Sequence, residues 1–202
     1  MKKFKIVLGL LLSFLMFSGF WGDDRSPREI KNEERKNRFI EQQSRIKTSR
    51  ETLNLLYQEV PEIQQKLLRS YGYATFSNVG VNVILFSVEN GEGLAHNNRS
   101  GMNTYMNMTS GGLGLGLGAR DFRAIFLFKT KRAFDNFVNS GWEANAQADA
   151  VAKYDESGGA AGGAITVSDD VTLYKLTEDG LIAQITFQGT KYYKDENLNK
   201  YR

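Results

Sequence analysis

The chain has 202 residues, 41% of them hydrophobic and 24% charged, with 20 glycines and only 2 prolines. That length suits one compact domain, and the composition excludes wholesale disorder while favouring a sheet protein with many tight turns. Cysteine is absent and histidine occurs once, at His96; this excludes disulfides, thiol nucleophiles, zinc–thiolate sites and a lipid-modified N-terminal cysteine, and leaves little room for a histidine triad.

Lys2, Lys3 and Lys5 precede a nearly unbroken apolar run from Ile6 to Trp21, and Asp23 and Asp24 then switch the composition abruptly. This is the layout of a secretory signal peptide over residues 1–22, so an exported, periplasmic protein is expected. Phe20 and Trp21 are bulky for a small-x-small cleavage site, which keeps an uncleaved anchor as a second reading. Against it, the run is shorter than the about 20 apolar residues of a spanning helix. Three of the 26 basic residues lie in residues 1–22, leaving 23 against 23 acidic ones, so the formal charge of +3 falls to zero without the leader. No nucleic-acid partner is expected from such a balance.

Residues 23–58 read as a charged amphipathic helical segment. Phe39, Ile46, Leu53, Val60 and Leu67 recur every seven positions, joined by Ile40, Leu56 and Ile63, as one apolar stripe. Pro61 pushes Val60 out of the α region and suits the first turn of a new helix. The pattern therefore predicts a helix over 28–58 and a second from Pro61 to Tyr71, stopped by Gly72. Residues 25–50 carry nine basic and four acidic side chains, a balance of 9 − 4 = +5. Arg28, Lys31, Arg35, Lys36 and Arg38 are candidate contacts to an anionic membrane surface. The competing reading is a solvated helix face with pairs such as Glu34 and Arg38.

From Thr75 the texture turns to strand. The alternation over Val79–Val88 predicts a strand ending in a turn at Glu89-Asn90-Gly91, with further strands near 93–97, 103–109, 112–119 and 122–128. Residues 130–140 read as a short helix with Ala133, Phe134, Phe137 and Val138 on one face. From Trp142 to Lys153 alanine alternates strictly with other residues; alanine favours helix by propensity, but the period of two favours strand. Val171–Leu176 and Leu181–Phe187 form a hairpin about Glu178-Asp179-Gly180.

The glycine run G-L-G-L-G-L-G at Gly112, Gly114, Gly116 and Gly118 satisfies part of a dinucleotide fingerprint, but a strand rather than a helix follows it, and no Gly-Lys-Ser/Thr completes a phosphate loop. Inside a sheet it would leave one face without side chains, for core packing or for a ligand groove. Glu92, Asp169 and Asp170 sit at apparent turns and belong to no catalytic motif; His96, beside Asn97 and Asn98, reads as a surface loop residue. Arg120, Arg123, Lys129, Lys131 and Arg132 form a small basic cluster suited to an anion or headgroup, or else an ordinary charged helix start. No cofactor, metal site or catalytic constellation is expected.

The order of these blocks resembles the SYLF domain family of lipid-binding proteins, specifically an exported bacterial branch. The blocks are the Val79–Phe86 strand, G-E-G-L-A at Gly91–Ala95, the glycine run through Ala119, the Ile125–Val138 strand and helix, and the Leu173–Gly189 hairpin with Lys191-Tyr192-Tyr193 after it. Relatives carry a Trp-x-x-Pro patch between the second and third blocks, where this chain has Met102-Asn103-Thr104-Tyr105. The resemblance implies an α+β domain over 59–202 with a curved, mainly antiparallel sheet, N-terminal helices and a short helix near 130–140. It also implies non-catalytic binding of membrane lipid in the cell envelope. Anionic or phospholipid headgroups would then meet Arg120, Arg123, Lys129, Lys131 and Arg132 beside the glycine-stripped strand. A second expectation is a structural interaction module that pairs its helical stripe with a second copy or another envelope protein.

Overall fold

In a computed structural model, the described residues are 25–78, 88–111, 122–144, 153–154, 164–177, 180–181 and 190–200. The chain divides into two compact units, residues 1–37 and 38–202. The first unit contains the opening turns of helix α1 (Pro27–Glu59). Ser26 and Glu29 close a reciprocal capping box there: the Ser26 backbone N–H and hydroxyl donate to Glu29 Oε2 at 2.8 and 2.7 Å, and Glu29 N–H donates back to Ser26 Oγ at 3.3 Å. Those bonds hold the Glu29 carboxyl below its ordinary pKa. Pro27, at the first helical position, gives up no hydrogen bond.

The second unit is α+β, as expected. After α1 come α2 (Ile63–Arg69) and strands β1 (Gly72–Ser77), β2 (Val88–Asn97), β3 (Asn103–Gly111) and β4 (Phe122–Phe128). Helix α3 (Lys131–Ser140) follows, then β5 (Trp142–Ala144), β6 (Lys153–Tyr154), β7 (Ala164–Ser168), β8 (Val171–Thr177), β9 (Gly180–Leu181) and β10 (Thr190–Lys194). The described strands form one antiparallel sheet in the order β5-β10-β3-β2-β1-β4-β8-β7-β6, with β9 beside β8.

The sheet curls. From β10 to β4 is four strand steps, about 19 Å in a flat sheet at about 4.8 Å per step. Yet the rings of Tyr192 on β10 and Phe126 on β4 lie 5.0 Å apart. The concave face thereby closes an aromatic core of Phe76, Phe126, Phe128 and Tyr192, capped by Phe134, Phe137 and Val138 of α3. Each such ring, fully buried, contributes about 1.5–3 kcal/mol. Large and small residues alternate across this face: Phe76 stands between Gly93 and Ala124, and Ala74 between Ala95 and Phe126. A Cβ at Gly93 would lie 2.2 Å from the Thr75 carbonyl oxygen and 2.4 Å from the Phe76 ring, so only glycine lets these strands meet.

The convex face packs under the helices. Leu53, Leu56 and Val60, with Ile63 and Leu67 of α2, bury against Ile125, Leu127, Tyr174 and Leu176. The seven-residue stripe is therefore used inside the molecule over this part. Its N-terminal members are not: Phe39 is 60% and Ile40 54% exposed.

Two expectations are corrected. Glu89-Asn90-Gly91 is no turn but part of β2, paired with Ser110, Thr109 and Met108; Gly91 is small because Met108 and Ser77 crowd it. His96 lies one residue before the end of β2, half-buried, where Nδ1 shares a 2.6 Å hydrogen bond with Asn103 Oδ1. The turn comes after it, where Asn97 Oδ1 accepts from the N–H groups of Arg99 and Ser100. The glycine strand near 112–119, the strand over 79–87, most of the alanine alternation and the far arm of the last hairpin lie outside the described residues.

Candidate binding cleft

Helix α3 builds one wall of an open cleft. Thr130 caps it, its Oγ1 accepting from Ala133 N–H at 3.3 Å, and Gly141 ends it at φ +72°. A side chain at Gly141 would suffer twice, from that φ and from the Tyr192 carbonyl oxygen 2.5 Å from its Cβ. The amphipathic turn count sends Phe134, Phe137 and Val138 into the core. Arg132, Asn136 and Ser140 follow at spacings of four along an adjoining stripe, beside a cleft of about 690 Å³. Half-buried Ala133, Trp142, Val167 and Val171 supply its accessible apolar lining, while Phe126, Phe128 and Phe137 lie buried behind it in the core. The Trp142 ring lies 5.6 Å from Phe126 and 5.8 Å from Tyr192.

Charges at the mouth are partly paired. The Arg132 side chain is 83% exposed, with Nη2 3.5 Å from Asp170 Oδ2. Asp170 also accepts from Thr130 Oγ1 at 3.2 Å. Lys129 Nζ donates to the Asp169 carbonyl at 2.8 Å, and Lys131 pairs with Asp135 one helical turn on, which raises the Lys131 pKa. Two of the three cations thus meet carboxylates, Lys131 at Asp135 and Arg132 at Asp170, and Lys129 meets a backbone carbonyl. The Arg132 side chain remains largely open to solvent.

Arg123 does not join them. It lies at the opposite end of β4, about 20 Å of strand from Lys129, on the convex side with Ile125 and Leu127. Its Nε is buried without a hydrogen-bond partner. Arg120, Gly112, Gly114, Gly116 and Gly118 lie outside the described residues. In the first unit Arg28, Lys31, Arg35 and Lys36 are exposed on α1; Arg38, in the second, is half-buried.

Sequence reasoning missed a second, polar recess of about 170 Å³ between α1 and strands β1 and β2, lined by Ser44, Thr48, Ser49, Thr52, Thr75 and Glu92 among others. Thr75 Oγ1 donates to Ser49 Oγ at 2.7 Å, whereas Thr52 Oγ1 and Arg45 Nε find no hydrogen-bond partner. Arg45, grouped by sequence with the surface cations, is buried. Its Nη1 donates to the Met106 carbonyl at 2.8 Å, and its Nη2 to Glu41 Oε1 at 2.8 Å and Asp195 Oδ2 at 3.0 Å. The signal was present, because Arg45, Ser49 and Thr52 share the helical face of Leu56.

Among the described residues no group of three His, Cys, Asp or Glu side chains is placed to hold a metal, and no helix is long and apolar enough to cross a membrane. The cleft combines half-buried apolar side chains with the polar Arg132, Asn136, Ser140 and Asp170.

No protein-family model matches the chain. A curated bacterial protein, Beta cell expansion factor A of Aeromonas veronii, is 31% identical over 145 residues, which cover 72% of this chain and 54% of that protein. The chain is similar to that relative and spans about half its length.

Proposed function

We propose that this is a non-catalytic, exported protein of the bacterial cell envelope that binds membrane lipid peripherally, as a member of the SYLF family. The observation that carries the reading is the cleft: an opening lined by the half-buried Trp142, Val167 and Val171 beside an exposed arginine, in a chain whose nominated carboxylates form no catalytic grouping. Glu92 lines the polar recess while Asp169 and Asp170 sit in the β7–β8 turn. The exposed cations of α1 supply attraction to anionic headgroups, each worth about 1 kcal/mol near such a surface. Phe39 and Ile40, exposed on the same helix, supply apolar contact with the interface.

Co-sedimentation of the chain lacking residues 1–22 with anionic and neutral vesicles tests the reading. Pelleting with anionic vesicles, weakened when Lys31, Arg35 and Lys36 are reversed to Glu, supports it; no pelleting with either removes it. Lys129→Glu with Arg132→Glu tests the rim separately. The interaction-module reading rests on Phe39 and Ile40, since Leu53 and Leu56 are buried against the protein's own sheet.

A further inference from the structure

We propose that residues 41–52 of α1 form a strap that lifts from β1 and β2 while the following turns, Leu53 to Val60, stay docked, and that an anionic membrane surface favours the lifted form. The membrane half of this statement rests on the reading above; the strap itself does not.

The two parts of the helix dock by different chemistry. From Glu41 to Thr52 the sequence reads E-Q-Q-S-R-I-K-T-S-R-E-T, with Ile46 its only hydrophobic residue. Arg45, Ser49 and Thr52 are the buried side chains of this stretch, and Leu53, Leu56 and Val60 those of the next. The latter three share one apolar cluster with Ile125, Leu127, Tyr174 and Leu176. Ile46 is only half-buried beside Leu94, Tyr105 and Leu198. Apolar burial, the dominant drive for docking, is therefore concentrated after residue 52.

The strap is held by polar groups, and incompletely. Gln42 Nε2 donates to the Leu198 carbonyl at 2.8 Å and Thr75 Oγ1 to Ser49 Oγ at 2.7 Å. Water replaces both partners on lifting, so these bonds contribute little net. The Arg45–Asp195 pair at 3.0 Å is the main restraint. Against it, Thr52 Oγ1 and Arg45 Nε are buried without a hydrogen-bond partner while the strap is down, and lifting lets water supply one. The polar recess beneath the same stretch also removes packing contact from it. Lifting therefore costs less than unfolding the sheet and the apolar half of the helix. It frees Arg45 and Ile46 to join Phe39 and Ile40, already exposed on α1. A surface that attracts cations and takes up apolar side chains binds the lifted form better, and that difference in affinity shifts the population.

The chain contains no cysteine, so one engineered thiol reports its own exposure. Thr52→Cys loses no hydrogen bond, because the hydroxyl makes none; Leu56→Cys puts the control under the docked part. Each full-length variant is labelled with a water-soluble thiol reagent at several urea concentrations below the unfolding transition. The expected result is that Thr52→Cys reacts at least about tenfold faster than Leu56→Cys, at a rate nearly independent of urea, because a local opening exposes little surface. Leu56→Cys follows the urea dependence of global unfolding. Adding Asp195→Asn, which leaves a neutral acceptor for Arg45, speeds labelling of Thr52→Cys about tenfold. Anionic vesicles speed it several-fold and neutral vesicles do not. Labelling of Thr52→Cys with the full urea dependence of global unfolding overturns the strap, and that result needs no folded Leu56→Cys. Fast labelling that anionic vesicles leave unchanged while they pellet the chain overturns the membrane trigger alone. Fast labelling without pelleting keeps the strap and overturns the membrane reading.

Discussion

Arg45→Met is the most informative perturbation of the fold. The Arg45 side chain is 4% exposed and joins α1 to the turn after β10 through Asp195, 11% exposed, at 3.0 Å. Removing one partner of a buried ion pair costs about 3–5 kcal/mol, because the other charge stays buried and uncompensated. Asp195 retains three donors, the N–H groups of Asn197 and Leu198 at 3.0 and 2.9 Å and Asn107 Nδ2 at 3.1 Å. The expected loss is therefore at the lower end, about 3 kcal/mol. Asp195→Asn keeps an acceptor for the turn while removing the charge, so in the double variant the two losses should fall short of additivity by about 1–2 kcal/mol. Urea unfolding followed by far-UV circular dichroism measures both, with an unchanged slope against denaturant as the sign that only stability moved. A loss under about 1 kcal/mol for Arg45→Met, or an additive cycle, would refute the clamp.

Other outcomes follow from the same geometry. Gly93→Ala places a Cβ 2.2 Å from the Thr75 carbonyl and should lower stability by about 2–3 kcal/mol, whereas Gly101→Ala, with open space around it but φ +71°, should cost about 1 kcal/mol; the same denaturation curves rank them. Burial pushes the Tyr73 hydroxyl up to about 12 and the Tyr192 hydroxyl higher still. Raised folded pKa values mean stability present below the unfolded value near 10.0 and lost as pH rises through the folded ones. Alkaline titration should therefore destabilise the wild type above that point, and Tyr73→Phe with Tyr192→Phe should flatten the loss. Phe39→Ser with Ile40→Ser, at exposed positions, should change stability by less than about 0.5 kcal/mol each yet reduce vesicle pelleting; unaltered pelleting would remove these residues from the membrane contact.

What was legible in the sequence follows the strength of the period. The stripe from Leu53 to Leu67 and the Phe134-Phe137-Val138 face announced α1, α2 and α3 within a few residues, because a helix shows its buried side at fixed spacing. Pro61 marked the real break between α1 and α2. The Glu89-Asn90-Gly91 stretch misled, since glycine serves close packing as well as turning, and only the neighbouring Met108 shows which. Arg45 misled in the same way: a charge on a core-facing stripe looks like a surface charge until Asp195, distant in sequence, is brought beside it. The cleft was not legible at all as a cavity. Its accessible lining comes from α3 and β5 on one side and β7 and β8 on the other, over the buried rings of β4, and their meeting depends on the curl of the sheet. Arg132 was singled out, but for a cluster in which Lys131 pairs with Asp135, Lys129 bonds the Asp169 carbonyl and Arg123 lies at the other end of β4.

The measurement closest to the central claim is sedimentation of the chain lacking residues 1–22 with anionic vesicles across a salt series. Peripheral binding driven by the α1 cations predicts pelleting at low salt that declines steadily toward and beyond about 0.15 M, where screening shortens their reach to about 8 Å. Neutral vesicles should pellet little of the chain. No pelleting at any salt, or equal pelleting with neutral and anionic vesicles, would contradict it.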